Sequence, residues 1–185
     1  MKKPMLLLAT IMLTQLALTA SAQQVVPPDA DRFRLAATIR DIMDTMIDPG
    51  ADRIWDSVST EISPNGVIDK IPRNDREWNE IRKSALTLVE GANLLLLSGR
   101  KVARPGEKSK NPNVEMEPDQ IEGLIQKDPA DWSARVRDLQ NVSATILNAI
   151  EAKDVARIRD AGAALDQSCE NCHLKYWYPA AAPSR

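Results

Sequence analysis

Cysteine and histidine are almost absent from this chain of 185 residues, which contains two Cys and one His. These residues are Cys169, Cys172 and His173. A disulfide between the two cysteines would close a very small loop and add little stability. A structural zinc site takes four ligands, so the three residues would need a carboxylate to complete the set. With one histidine and no evident nucleophile–base pair, the sequence does not predict an enzyme.

Glycine, phenylalanine and tyrosine are also scarce, at seven, one and two residues. Alternation of apolar and polar residues never extends beyond a few positions, which excludes an extensive β-sheet. The 24 basic residues do not outnumber the 26 acidic ones. Because no basic stripe is present either, a nucleic-acid partner is not expected. The fold is therefore expected to be all-α, with four Trp as its main large core side chains.

A long apolar run is found only at the N-terminus. Residues 1–3 are Met-Lys-Lys, the apolar run extends from Leu6 to Leu18, and small residues precede Ala22 in an A-x-A pattern. This order is typical of a cleaved secretory signal peptide. An uncleaved anchor is the alternative, but the A-x-A site and the lack of a second apolar span argue against it. We predict a signal peptide over residues 1–22 and a single exported domain over residues 23–185, with no membrane insertion after cleavage.

The exported domain is predicted to begin with a broken helix. Apolar residues recur at helical spacing from about Asp29 to Ile47. Asp48 and Pro49 follow, and proline fits the first turn of a helix better than its interior. We therefore expect a kink or a fresh start there, with Asp48 capping a shorter helix that ends near Ser59.

Three further helices are predicted from apolar seams with steps of three and four residues. The second helix covers about residues 75–97, after a capping box formed by Asn74 and Glu77. The third begins with Asp128 as its N-cap, and the fourth begins with Asp154. Four amphipathic helices need a common core, so the simplest fold is an up-and-down four-helix bundle.

Two long connections separate these helices. The first, residues 60–73, contains Pro64-Asn65-Gly66, a turn signal compatible with a small hairpin. The second, residues 98–127, is rich in Lys, Pro, Asn and Gly, and its first half is expected to be exposed. Within this second connection, residues 118–125 are expected to form a short helix.

The most specific motif of the chain lies in the fourth helix. Residues 169–173 are Cys-Glu-Asn-Cys-His, which is the C-x-x-C-H motif of covalent haem attachment. The two thiols add to the two vinyl groups of haem as thioethers, and the adjacent imidazole binds the iron. On a helix the two cysteines lie about one turn apart, which suits the spacing of the vinyl groups. We therefore predict one haem c, attached at Cys169 and Cys172, with His173 as the proximal iron ligand.

The position of the motif along the helix agrees with this prediction. A thioredoxin-like redox pair would need a βαβ setting, which the sequence lacks. A porphyrin would also supply a large apolar body to a domain that has few aromatic side chains. Apolar positions in this segment recur every three or four residues and include both cysteines, so we expect them on the inward face: Val155, Ile158, Gly162, Leu165, Cys169, Cys172 and Tyr176.

With this motif near its C-terminus, the chain resembles class II c-type cytochromes, the cytochrome c prime group. Members of that family have a four-helix bundle with C-x-x-C-H on the last helix, and the resemblance covers about residues 29–178. The aromatic residue that the family places three positions after the histidine is matched by Tyr176. At the following position many members have Arg or Lys, whereas this chain has Trp177, and its nearest basic residue is Lys175.

The resemblance places the far side of the haem against the first helix. Low-spin members of the family use a methionine there as the sixth iron ligand, while cytochrome c prime leaves that position open. Met43 and Met46 both lie on the apolar face of the first helix, and core packing is the ordinary role of such residues. We favour Met43, with Met46 as the alternative. Met116 in the long connection is a weaker candidate.

Two functions follow from the two states of the sixth position. A Met/His-ligated haem raises the reduction potential and suits electron transfer with redox protein partners in the periplasm. An open position suits binding of NO or CO. A helical module without haem, its cysteines joined as a disulfide, is the third alternative.

Without Lys2 and Lys3, 22 basic residues stand against 26 acidic ones, and this formal charge of −4 permits docking on a basic partner. Family members often dimerise through their first two helices, which leaves a homodimer open here.

Overall fold

Capping side chains determine many of the helix ends in the computed structural model, which describes residues 33–178. That part of the chain is mostly helical with one small two-stranded sheet, so the predicted helical character is confirmed. The predicted signal peptide, residues 1–22, lies outside the described residues. The elements are α1 (Ile39–Ile42), a π-helical turn (Met43–Ile47), α2 (Asp48–Ser57), β1 (Thr60–Ser63), β2 (Gly66–Asp69), α3 (Asp75–Leu95), α4 (Pro118–Lys127), α5 (Pro129–Glu151) and α6 (Val155–Tyr176).

The three N-caps predicted for α3, α5 and α6 are confirmed. Asp128 and Asp154 each accept a hydrogen bond from the backbone N–H three residues later, both at 3.0 Å. Asn74 accepts in the same way from the N–H of Glu77, also at 3.0 Å. The predicted capping box is only half formed, because the Glu77 carboxylate accepts from the N–H of Arg73 at 2.7 Å. Such caps satisfy N–H groups that have no partner within the helix.

The first helix begins later than predicted. Its first residue is Ile39, with Thr38 as the N-cap, and residues 33–38 are not helical. The N–H groups of Ile39 and Arg40 donate to two backbone carbonyls of the long connection, at 2.9 and 3.0 Å. One of these carbonyls belongs to Val102, which is buried. Most residues in the first half of the connection are exposed, as predicted, while Val102 is buried where the connection bonds to the start of α1.

A shorter helix, α2, begins at Asp48 as expected, but Asp48 does not cap it. The chain passes from α1 through the π-helical turn into α2 without interruption, and the Asp48 side chain makes no capping hydrogen bond. The backbone N–H of Asp48 donates instead to the carbonyl of Met43, five residues earlier. Proline has no N–H to satisfy, so the wide turn just before Pro49 accommodates it inside a continuous helix. We call α1, the π-helical turn and α2 together the first helical run.

The predicted hairpin is confirmed in the first connection. Strands β1 and β2 pair antiparallel, with Ser63 opposite Gly66 at the closed end. Gly66 has a φ of 126°, a backbone conformation that side-chain-bearing residues rarely adopt. The hairpin is tied to α6 by Arg159, whose guanidinium donates to the carbonyl of Val58 and to the carboxylate of Asp69, both at 3.1 Å.

Four long helical segments bury their apolar faces against one another. The first helical run packs against α3, α3 against α5, and α5 against α6, while α2 also contacts α6. None of the helices between residues 33 and 178 is long and apolar enough to cross a membrane. The largest fully buried side chains come from all four segments and include Ile42, Ile47, Ile54, Leu88, Ile146, Ile158, Leu165 and Tyr176.

Candidate functional site

A narrow cavity lies where the four helical segments meet. Its volume is about 20 Å³, which is close to the space that one water molecule needs. The first helical run, α3, α5 and α6 all contribute side chains to its lining. All three residues of the predicted haem site and the favoured methionine line this cavity, together with other mainly apolar side chains: Met43, Ile47, Asp48, Leu95, Arg135, Val136, Leu139, Ser168, Cys169, Cys172 and His173.

The two cysteines are free thiols and not a disulfide. Cys172 is buried, as predicted for the inward face of α6, whereas Cys169 is half-buried at the edge of the cavity. Burial raises the pKa of Cys169 to about 11 and that of Cys172 to about 12. Both side chains are therefore mainly neutral thiols at neutral pH, and no disulfide occupies their sulfur atoms.

His173 is half-buried beside the two thiols. Burial lowers its pKa, although the carboxylates of Asp48 and Glu170 act in the opposite direction. The imidazole is consequently neutral at neutral pH, which is the form that binds a metal ion. Its Nδ1 atom lies 2.9 Å from the Oη atom of Tyr178, so Nε2 is the ring nitrogen left for a metal. The ring of Trp177 lies nearby, with its centroid 6.1 Å from that of His173.

The structure separates the three methionine candidates. Met43 is 9% exposed and lines the cavity with the motif residues. Met46 is half-buried and faces α3 beside Gly91, away from the cavity. Met116 lies in the long connection, where its backbone N–H donates to the carbonyl of Trp177 at 2.7 Å. Of the three, Met43 is therefore the one that lines the cavity with the motif residues, while Met116 is bonded to Trp177 near His173.

A polar group of α5, which sequence reasoning did not select, supports the motif from outside. The Tyr176 hydroxyl is buried and donates to the carboxylate of Asp131 at 2.9 Å. Arg135 donates to the same carboxylate at 2.9 Å and to the backbone carbonyl of Asn171 at 2.7 Å. Hydrogen bonding from Arg135 lowers the pKa of Asp131. In sequence, Asp131 and Arg135 form only an ordinary pair four residues apart on a helix, a spacing that is common on exposed faces.

Tyr178 is a second residue of this site that sequence reasoning missed. Its hydroxyl contacts His173, and it also donates to the carboxylate of Glu170 at 3.4 Å. Tyr178 follows the last turn of α6, where helical spacing no longer predicts which way a side chain points. The available signal was its sequence distance of five residues from His173, which is too weak to select one side chain.

The donor set fits haem better than zinc. Between residues 33 and 178, no three or more His, Cys, Asp or Glu side chains are grouped so that they could hold a metal ion, and a structural zinc site takes four ligands. Two free thiols about one turn apart on α6, a neutral imidazole and a thioether in the same cavity are the groups that a covalent haem would use. The hydroxyl of Ser168, in the same cavity, is buried without a partner. Because the cavity holds only about one water, the first helical run and α6 have to separate to admit a porphyrin.

Comparison of this chain with protein-family models, with curated proteins and with solved structures finds no match. The assignment of the site therefore depends on the motif and on the geometry around it. The motif supplies the two thiols and the imidazole, while the fold supplies Met43 and the apolar walls.

Proposed function

We propose that the chain is an exported c-type cytochrome that carries one haem and transfers electrons between redox proteins of the periplasm. Cys169 and Cys172 would hold the haem through thioether bonds, His173 would ligate the iron, and Met43 would be the sixth ligand. The observation that carries the proposal is the shared cavity, where these four side chains meet. A signal peptide over residues 1–22 would direct the domain to the periplasm.

The proposal includes an up-and-down four-helix bundle for the domain. In support, each of the four helical segments packs against two others, in the order expected for neighbours in a ring. The link between α5 and α6 comprises only residues 152–154, and so short a link joins antiparallel neighbours. The bundle core is then the place where a porphyrin binds between facing helices.

The side chains around the cavity have distinct roles in this proposal. A bound haem supplies an iron that alternates between its ferric and ferrous states. His173 would hold the iron as a neutral imidazole, and Met43 would supply a thioether that favours the ferrous state and keeps small gases from binding. The apolar side chains of Ile47, Leu95 and Val136 would limit the access of water to the site. Arg135 fixes the backbone of the motif through the carbonyl of Asn171.

Covalent haem is tested on protein exported by cells that have haem-attachment machinery. The expected mass is that of residues 23–185 plus one haem, and haem stain should remain with the chain on a denaturing gel. Variants Cys169→Ala and Cys172→Ala each remove one thioether bond, and the double variant should lose the stain. A wild-type protein with the bare polypeptide mass would contradict the proposal and leave the helical module without haem.

A gas-binding haem protein with an open sixth position is the second candidate. The observation that favours it is that Met43 is packed among core side chains, with Ile47 and Leu95 beside it in the cavity. If Met43 acts only as a core residue, these apolar groups would shield an open iron in the manner of cytochrome c prime.

The two candidates differ in the effect of removing one methionine. For the electron carrier, we expect a low-spin absorption spectrum that is lost in Met43→Ala and kept in the matched control Met46→Ala. The ferrous Met43→Ala protein should also bind CO, whereas the wild type should not. A wild-type protein that is high-spin and binds CO at once would favour the gas-binding candidate instead.

A further inference from the structure

Nδ1 of His173 is hydrogen-bonded to Tyr178, which in turn bonds to Glu170, and the haem motif requires neither of these two side chains. The Oη atom of Tyr178 lies 2.9 Å from Nδ1 of His173 and 3.4 Å from the carboxylate of Glu170. Glu170 and His173 are three residues apart on α6 and therefore share a face of the helix. The three side chains thus form a continuous hydrogen-bonded chain.

The backbone positions Tyr178 for this contact. After α6 ends, the N–H groups of Trp177 and Tyr178 both donate to the carbonyl of His173, at 2.7 and 3.0 Å. The chain is thereby turned back, so the phenol of Tyr178 lies against the imidazole, with ring centroids 5.5 Å apart. Tyr178 is accordingly tied to His173 by main chain and side chain together.

We propose that Tyr178 and Glu170 orient the His173 ring and lower the reduction potential of the haem iron. The inference rests on the proposed haem attachment. When Nε2 of His173 ligates a metal, Nδ1 carries the ring proton and donates it to Oη of Tyr178. The phenol keeps its own proton and donates it to the Glu170 carboxylate.

The direction of the effect follows from this order of donors. A hydrogen bond that withdraws the Nδ1 proton makes the imidazole a stronger electron donor and favours the ferric iron. The negative charge of Glu170 strengthens Tyr178 as an acceptor, because hydrogen bonds to charged groups are the stronger ones. These three hydrogen-bonded side chains would counteract the rise in reduction potential that Met43 would cause as an iron ligand.

Redox titration of the haem-bearing protein and its variants tests the inference. Tyr178→Phe removes the acceptor, so we expect its reduction potential to lie above that of the wild type. Glu170→Gln keeps an acceptor for the phenol but removes the charge, and we expect a smaller upward shift. Added to Tyr178→Phe, the Glu170→Gln change should give no further shift, because the two residues act in series.

Asp166→Asn is the matched control, since it removes one carboxylate charge a single turn earlier on α6 without touching Tyr178. We expect it to leave the potential unchanged. A second readout is the NMR signal of the Nδ1 proton in the ferrous protein, which should exchange with solvent faster in Tyr178→Phe than in the wild type. A loss of packing alone would not single out this proton.

The outcomes separate the two proposals. Absence of covalent haem from the wild type would overturn both. An unchanged potential in a Tyr178→Phe protein that still carries its haem would overturn only the inference. If Glu170→Gln shifted the potential equally in the wild type and in the Tyr178→Phe variant, the carboxylate would act through space, and the inference would also be overturned.

Discussion

At the scale of single residues, Ser168 stands out among the cavity side chains. It is 7% exposed, and within the described residues its hydroxyl is buried without a hydrogen-bond partner. Ser143 is also buried, but its hydroxyl donates to the carbonyl of Leu139 at 2.7 Å. An unpaired buried hydroxyl costs about 1–3 kcal/mol, so the Ser168 hydroxyl destabilises the fold unless a further group in the cavity pairs with it. Such a residue is better suited to a cavity that a further group completes than to a closed core.

Substituting the two serines tests this interpretation of the cavity. Ser168→Ala removes an unpaired polar atom and favours the helix, so we expect the free energy of unfolding to rise by about 1 kcal/mol. Ser143→Ala is the matched control, since it removes a bonded hydroxyl and should leave the stability nearly unchanged. Urea unfolding of the haem-free chain measures both. A Ser168→Ala variant less stable than Ser143→Ala would show that Ser168 has a partner.

At the scale of elements, the first helical run depends on contacts distant in sequence. A Cβ atom at Gly91 of α3 would lie 2.7 Å from the Cδ1 atom of Ile47, and one at Gly50 would lie 3.1 Å from a methyl carbon of Leu88. The two glycines therefore let the run and α3 approach closely. The apolar face of the first helical run was predictable from the spacing of its apolar residues. The π-helical turn was not predictable, because it depends on how the run fits against α3.

The π-helical turn should determine whether Met43 reaches the cavity. Deleting Thr45, an exposed residue of that turn, should convert it to an α-helical turn. Because α2 is held against α3, the segment before the deletion would rotate by about 100°. We expect haem to remain attached and the low-spin spectrum to be lost. Thr45→Ala keeps the chain length and should keep the spectrum, while a low-spin deletion variant would contradict this role of the turn.

Local and distant determinants also explain which other elements were predictable. The starts of α3, α5 and α6 follow from capping side chains within three residues, so the sequence alone predicted them. The bond from Arg135 to Asn171 and the contact of Tyr178 with His173 depend on packing or on the path of the chain after α6. Neither forms part of a helical spacing pattern, so sequence reasoning found the motif but not its supports.

At the scale of the whole molecule, the fold encloses the two thiols to which the proposed haem would be attached. Cys172 is 8% exposed and the cavity beside it admits about one water, so no porphyrin can reach the thiols in this packed state. The raised pKa values, about 11 and about 12, also leave little thiolate at neutral pH. Haem attachment should therefore precede the packing of α6 against the first helical run, and the attached haem would then direct how the helices assemble.

Thiol labelling of the haem-free chain tests whether α6 packs and encloses the thiols before haem is attached. Residues 23–185, produced without haem attachment, are treated with iodoacetamide at mildly alkaline pH, in buffer and in concentrated urea. In buffer both thiols have low exposure and raised pKa values, so labelling there should be at least about 100-fold slower than in urea. Each unit by which the pKa rises lowers the thiolate fraction about tenfold. Cys169 should react before Cys172, because it lies at the edge of the cavity.

The haem-bearing protein is the control for this experiment, because both of its sulfur atoms would be thioethers and should resist the reagent in buffer and in urea alike. Equal labelling rates of the haem-free chain in buffer and in urea would show that α6 does not pack before haem is attached. In that case the porphyrin would supply the core that the few aromatic side chains leave incomplete, and the folded state would depend on its ligand. Slow labelling in buffer would instead mean that the helices close on their own, so that attachment has to occur on the unfolded chain.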